Sequence, residues 1–191
     1  MQRDLGDDTK SFDTALVHAL RHDADMIVLG EMRDLSTIST ALRAAGTGHL
    51  VIGTLHTTDA VGTINRVIDV FPASQQHQTR QQLAETIEAE LSQTLLNRIC
   101  SGRIVVFEIL LGNDVVRNII REDKNQELYS QMQLGAQQGM RPLDDSLAEL
   151  VRKYVITLEE AFPRCVHPEQ LRKMFKTPSG KNILLTGARK Y

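Results

Sequence analysis

An α/β fold, with a parallel sheet followed by a mainly helical second part, is predicted by three features of the sequence. Apolar runs at 26–30 and 49–55 are short and unbroken, as in strands covered on both faces. Segments with apolar residues at helical spacing alternate with them, which is the order of a parallel sheet with crossover helices. Beyond about residue 113 the pattern turns helical almost throughout.

Ser11 is placed to cap a helix reaching about residue 22, with Phe12, Leu16 and Leu20 on one face and Asp13 in the first turn. The strand at 26–30 follows. Asp34 then caps a second helix in which Leu35, Ile38, Leu42 and Ala45 recur, and Gly46 and Gly48 end it. The strand at 49–55 delivers His56, Thr57 and Thr58 just past its end. A third helix carries Val61, Ile64 and Ile68 and stops near Phe71-Pro72. A longer one begins at Ser74 and includes Leu83, Ile87 and Leu91, with Leu95 and Leu96 extending the apolar run.

Residues 103–111, interrupted by Glu108, read as one or two short strands. Helical segments are expected at 115–122, 125–134, 143–153 and 157–174. The chain is thus divided into an α/β core at 1–112, which the resemblance described below makes a partial one, a helical subdomain at 113–175 and a flexible tail at 176–191.

Composition narrows the function classes. With 191 residues and 41% apolar content, the chain can bury one good core and a small satellite. Its 22 basic and 24 acidic residues nearly cancel, so no overall field favours nucleic acid or a membrane surface. Trp is absent and aromatics are few, which argues against stacking platforms for bases. Cys100 and Cys165 lack C-x-x-C spacing, which suits a reducing compartment and argues against structural zinc. No apolar stretch has the length of a bilayer span, so a cytoplasmic location is expected, with membrane attachment through a partner left open.

In a parallel sheet, ligands collect beyond the carboxyl ends of the strands. Glu31 and His56 both fall there, although 25 positions separate them. Glu31 could orient and partly deprotonate the water that attacks a terminal phosphate, or act through a magnesium-bound water; a helix-start ion pair with Arg33 is an equal description. Arg33 could orient Glu31 or reach an adjacent subunit. His56 could donate to a phosphate oxygen or cap a local carbonyl. His49 precedes its strand and belongs toward the opposite edge.

Other residues are weaker candidates. His18 and His22 share a helix face, yet no third metal ligand accompanies them, so they read as surface histidines and no metal set is assigned. Asp23 and Asp25 solvate the turn into the first strand. Arg117 and Arg121 stand at i,i+4 beside Glu122, as a solvated face or as an edge for a partner. Gly180-Lys181 imitates a phosphate loop, but Phe175 replaces its first glycine and Asn182 its hydroxyl residue. A glycine-rich phosphate loop is missing from the chain.

Several motifs resemble the secretion ATPase superfamily, and within it the PilT-type retraction motors of type IV pili. The resemblance covers residues 2 to about 175. Gln2-Arg3-Asp4-Leu5-Gly6 and Ser11-Phe12 resemble the segment after the family's aspartate box. Gly30-Glu31-Met32-Arg33-Asp34 is similar to its Walker B region. The stretch from Thr47 to Thr58 is similar to its histidine box, with His56 at the active-site histidine, and Asn65 to Pro72 continues the pattern. Val115 to Glu122 resembles the A-I-R-N-L-I-R-E element of retraction motors. Assembly and type II secretion relatives generally carry a four-cysteine module near residues 100–110, where this chain has only Cys100, so retraction is favoured.

The resemblance implies a RecA-like P-loop NTPase core, ATP and magnesium as cofactors, a homo-hexamer, an inner-membrane pilus platform protein as partner, and no nucleic acid. It implies catalytic roles for Glu31 and His56, nucleotide contacts for Arg33 and Thr57, and force transmission through Arg117, Asn118 and Arg121. Because the Walker A loop and the aspartate box would precede Gln2 in a complete relative, the chain resembles the second half of a motor. Alone it is expected to expose an apolar sheet edge, to be poorly stable, and to bind ATP weakly or not at all. Three alternatives stand beside this reading: a non-catalytic interaction module, a type II secretion or pilus-assembly relative, and a nucleic-acid-stimulated ATPase.

Overall fold

Strand β1, Met26–Leu29, lies parallel to β2, Leu50–Gly53, with Met26 opposite Leu50 and Leu29 opposite Gly53. This computed structural model describes residues 11, 14, 15, 17 and 25–175. Ser11 Oγ accepts the Thr14 amide at 3.1 Å, as a helix cap does. The apolar face expected from Phe12, Leu16 and Leu20, the His18 and His22 pair, Asp23, the 2–6 motif and the 176–191 tail lie outside the described residues.

The chain forms two compact units that interleave along the sequence. Of the described residues, those up to 57, 61–88 and 112–128 make the first, and 58–60, 89–111 and 129–175 make the second.

In the first unit, helix α1, Leu35–Gly46, connects β1 to β2. Asp34 caps it, accepting from the Thr37 amide and hydroxyl, each at 2.9 Å. The amide bonds hold the Asp34 carboxyl below the usual carboxylate range. Gly48, with φ of 97°, turns the chain out of the helix in a conformation that L side chains rarely adopt. Ile27, Leu29, Ala41 and Ala44 then pack together, joined by Met32 and Val51.

That packing corrects one expectation. The strand at 26–30 was expected to be buried on both faces, yet Ile27 and Leu29 are buried while Met26 and Val28 are 54% and 67% exposed. Leu50 and Ile52 are exposed on the same side. Helix α1 covers one face of the pair, and among the described residues none covers the exposed apolar side chains on the other. An unbroken apolar run does not distinguish one covered face from two.

Helix α2, Ala60–Asp69, buries Ile64 and Ile68. Helix α3, Ala73–Thr86, buries Thr79, Leu83 and Ala84, and α4, Asp114–Arg121, buries Val116, Ile119 and Ile120 beneath an Asn113 cap. Gly112 is essential to the α3-to-α4 arrangement: a Cβ there would stand 2.0 Å from the Ile87 carbonyl oxygen.

The second unit is built on β3, Ala89–Asn97, paired antiparallel with β4, Arg103–Leu111, over nine residues each. Here a second expectation is corrected. Leu91, Leu95 and Leu96 extend no helix; the chain leaves α3 at Thr86 and enters a strand, where Leu96 is buried and Leu91 and Leu95 share an exposed face. Their spacing fits both a helix and a strand, and the long cross-strand ladder decides between them.

Helices α5, Leu128–Leu134, α6, Leu143–Arg152, α7, Leu158–Ala161, and α8, Pro168–Met174, follow, so the described residues from 128 to 175 are mainly helical, as expected. Leu147, Ala148, Val151, Ile156, Ala161 and Leu171 pack with Leu96 and Val106 as the core of this unit. Asp144, fully buried, accepts from the Val166 and His167 amides at 2.7 and 2.8 Å and from the Tyr129 hydroxyl at 3.1 Å. The architecture is α/β, a partial RecA-like core with helical additions. No helix among the described residues is long and apolar enough to cross a membrane.

Candidate active site

Two strand ends create the site. Because β1 and β2 are parallel and in register, the residues that follow them emerge at one edge of the sheet. Pairing continues a little past the strands: the Met32 amide donates to the Thr54 carbonyl at 3.0 Å, and the Thr54 hydroxyl donates to the Gly30 carbonyl at 2.5 Å. These bonds hold the two exits together. Gly53 leaves room for the Met32 side chain, whose sulfur would lie 2.6 Å from a Cβ at that position.

Glu31 and His56 meet here. His56 Nε2 lies 2.9 Å from Glu31 Oε1, and Arg33 Nε donates to the same carboxylate oxygen. The Arg33 hydrogen bond, with smaller contributions from its charge and from His56, holds the Glu31 carboxyl below the usual range. Glu31 is therefore an ionised acceptor at neutral pH. A carboxylate with a lowered pKa is a weak proton acceptor, better suited to orienting and polarising a water than to removing its proton outright. The Arg33 and His56 side chains are largely solvent-exposed, so the cluster opens outward.

Thr57 is not part of this cluster. Its hydroxyl pairs with that of Thr63 at 2.7 Å, tying the loop after β2 to helix α2. His49 also stays apart, with Nδ1 near the Thr47 hydroxyl at 3.2 Å and the Ala44 carbonyl at 3.3 Å, at the start of its strand. Thr54 escaped sequence reasoning; its bond to Gly30 is readable only once the two strands are known to be neighbours.

The arginines of α4 differ from each other. Arg117 is mostly buried: Nε donates to the Gly112 carbonyl at 2.8 Å, Nη1 to the Ala84 carbonyl at 3.3 Å and to that of Glu85, and Nη2 pairs with Glu88 at 2.9 Å. It terminates α3, meeting the negative end of that helix. Arg121 reaches only as far as the Asn118 amide oxygen, at 3.4 Å, and lines an open depression with His77 and Arg80. Asn118 is exposed.

Among the described residues, no group of three His, Cys, Asp or Glu side chains could enclose a metal ion. One carboxylate, Glu31, stands in the cluster, which would be compatible with a magnesium ion that keeps much of its hydration shell.

The profile of the type II/IV secretion system protein family matches residues 6–162. The chain belongs to that family. Among curated relatives, it is 49% identical over 168 residues to the type IV pilus retractation ATPase PilT of Pseudomonas aeruginosa, covering 88% of this chain and 49% of that protein. It is 47% identical over 171 residues to a twitching motility protein of Neisseria gonorrhoeae, covering 89% of this chain and 46% of the relative. A crystal structure of the pilus retraction motor PilT with bound ADP superposes with a TM-score of 0.83 at 47% identity, over 91% of this chain and 49% of that one. The chain spans about half the length of these secretion ATPase relatives.

Proposed function

We propose that this chain is the hydrolytic, C-terminal part of a hexameric ATPase that drives type IV pilus retraction and twitching motility. The observation that carries the proposal is the Glu31–His56 contact at the carboxyl edge of parallel strands, in a chain of the secretion ATPase family. In this reading ATP and magnesium bind where a phosphate loop is brought to that edge. The metal, when bound, neutralises phosphate charge. Glu31 holds and polarises the attacking water, Arg33 fixes the carboxylate, and His56 donates to a phosphate oxygen. Thr57 serves the nucleotide indirectly, by keeping the loop that bears His56 on α2.

The division of labour places the nucleotide edge within residues 1–112 and the partner-facing surface within 113–175. Asn118 and Arg121 face partners, and Arg117 transmits movement through the end of α3. The assembly works in the cytoplasm, at the inner membrane, against a pilus platform protein, and takes no nucleic acid. The absence of a four-cysteine module supports retraction over type II secretion or pilus assembly.

Replacing Glu31 with Gln, in an assembly that supplies the phosphate loop, tests this. Nucleotide affinity should stay within about threefold while turnover falls about 10²-fold or more. Unchanged turnover would remove Glu31 from the chemistry and favour a non-catalytic interaction module.

A further inference from the structure

Glu108 sits in the middle of β4, 1% exposed. Burying a carboxylate is costly unless its oxygens find partners, and here each oxygen takes one backbone amide. Oε1 accepts from Ala60 at 2.7 Å and Oε2 from Leu143 at 3.1 Å. These are the first amides of α2 and α6, and the first amides of a helix have no acceptor within it. Pro142, which precedes α6, supplies no side-chain cap. One strand-borne carboxylate therefore satisfies two helix starts.

At α2 the consequence reaches the chemistry. Ala60 lies four residues after His56, and the anchors of the link from β2 to α2 include Thr54 on Met32, Thr57 on Thr63 and Ala60 on Glu108. The His56 ring is 83% exposed, so packing does little to hold it. Beside its contact with Glu31, its position depends on these anchors of the loop. Glu108 is the anchor furthest from the site in sequence and, of these three, the one that is an ionisable side chain.

We propose that Glu108 is a positioning residue for His56: by holding the Ala60 amide it fixes the loop that presents the imidazole to Glu31. The inference rests on the assignment of His56 to the nucleotide site, but its test needs no nucleotide. Asp59 and Asp144 are the other acids that bear on Glu108, and neither is altered in the test.

The experiment is NMR on the 191-residue chain, comparing wild type with Glu108→Gln, which keeps shape but turns one acceptor into a donor. Two signals are read: hydrogen exchange at Ala60 and the ring resonances of His56. Exchange at Ala60 should accelerate about tenfold or more, and the His56 ring signals should move toward their positions in Glu31→Gln, where the contact is lost directly. A helix cap with no further role would accelerate Ala60 and leave the His56 ring unmoved; that outcome overturns the proposal, as does unchanged exchange at Ala60. If Glu108→Gln does not fold, Glu108→Asp, which keeps the charge and shortens its reach, is read by the same two signals. Lost turnover is not among the readouts, so failure of the ATPase assignment and failure of this inference remain distinguishable.

Discussion

Glu31 stands beyond the end of a four-residue strand with an arginine and a histidine as partners, whereas Glu108 lies inside a nine-residue strand with two backbone amides as partners. The first is reachable by solvent and its pKa is lowered by the Arg33 hydrogen bond. The second is buried, and desolvation pushes its pKa up despite both amide bonds. The same carboxyl group is a partly exposed acceptor with a lowered pKa in one region and a structural clasp in the other. The difference comes from where each strand stops: β1 ends before its acid, while β4 continues through it.

The largest effect expected from breaking this contrast is at Glu108. Glu108→Ala leaves two buried amides without acceptors, at about 1–3 kcal/mol each, so a loss of about 4 kcal/mol should appear in denaturant unfolding. Glu31→Ala, by contrast, should change the same midpoint little. The two acids also give opposite pH signs. A raised folded pKa means that the Glu108 contribution is present below its ordinary 4.5 and is lost as pH rises through the raised value. The stability advantage of wild type over Glu108→Gln should therefore shrink from pH 4 toward neutrality. Asp34, with a lowered pKa, behaves in the other sense: its contribution is present above 3.8 and is lost as pH falls through the lowered value.

Next in size is the difference between two arginines one helical turn apart. Arg117→Ala removes bonds to three carbonyls and an ion pair and should cost about 2 kcal/mol. Arg121→Ala should cost under about 0.5 kcal/mol, because its bond to Asn118 is long and exposed. Thermal melts of both variants check this. The smaller effect of Asp34→Ala, about 1 kcal/mol for a lost helix cap, calibrates the comparison, since Asp34 and Glu108 both cap helices but differ in burial.

Much of this could be read from residue patterns. The Asp34 cap and the Gly48 exit mark α1 in the sequence, and the two apolar runs mark β1 and β2, so parallel topology brings Glu31 and His56 to one sheet edge. What could not be read was set by distant partners. Met26 and Val28 look like core residues until the helix layer is known to cover only the other face. Leu91 and Leu95 look helical until β4 is seen beside them. Glu108 looked like an interruption of an apolar run, because nothing local reveals that the amides of Ala60 and Leu143 converge on it. Arg117 and Arg121 are indistinguishable by spacing, and only the end of α3 separates them.

In the proposed function, Glu31 and His56 act as one unit on a bound nucleotide. A double-mutant cycle on ATP turnover tests it most directly, with Glu31→Gln, His56→Gln and the pair in an assembly that supplies the phosphate loop. Each single change should lower turnover about 10²-fold, and the double change should be little worse than either, because the second residue has nothing left to act with. Independent, multiplying losses, or a single variant with wild-type turnover, would contradict it.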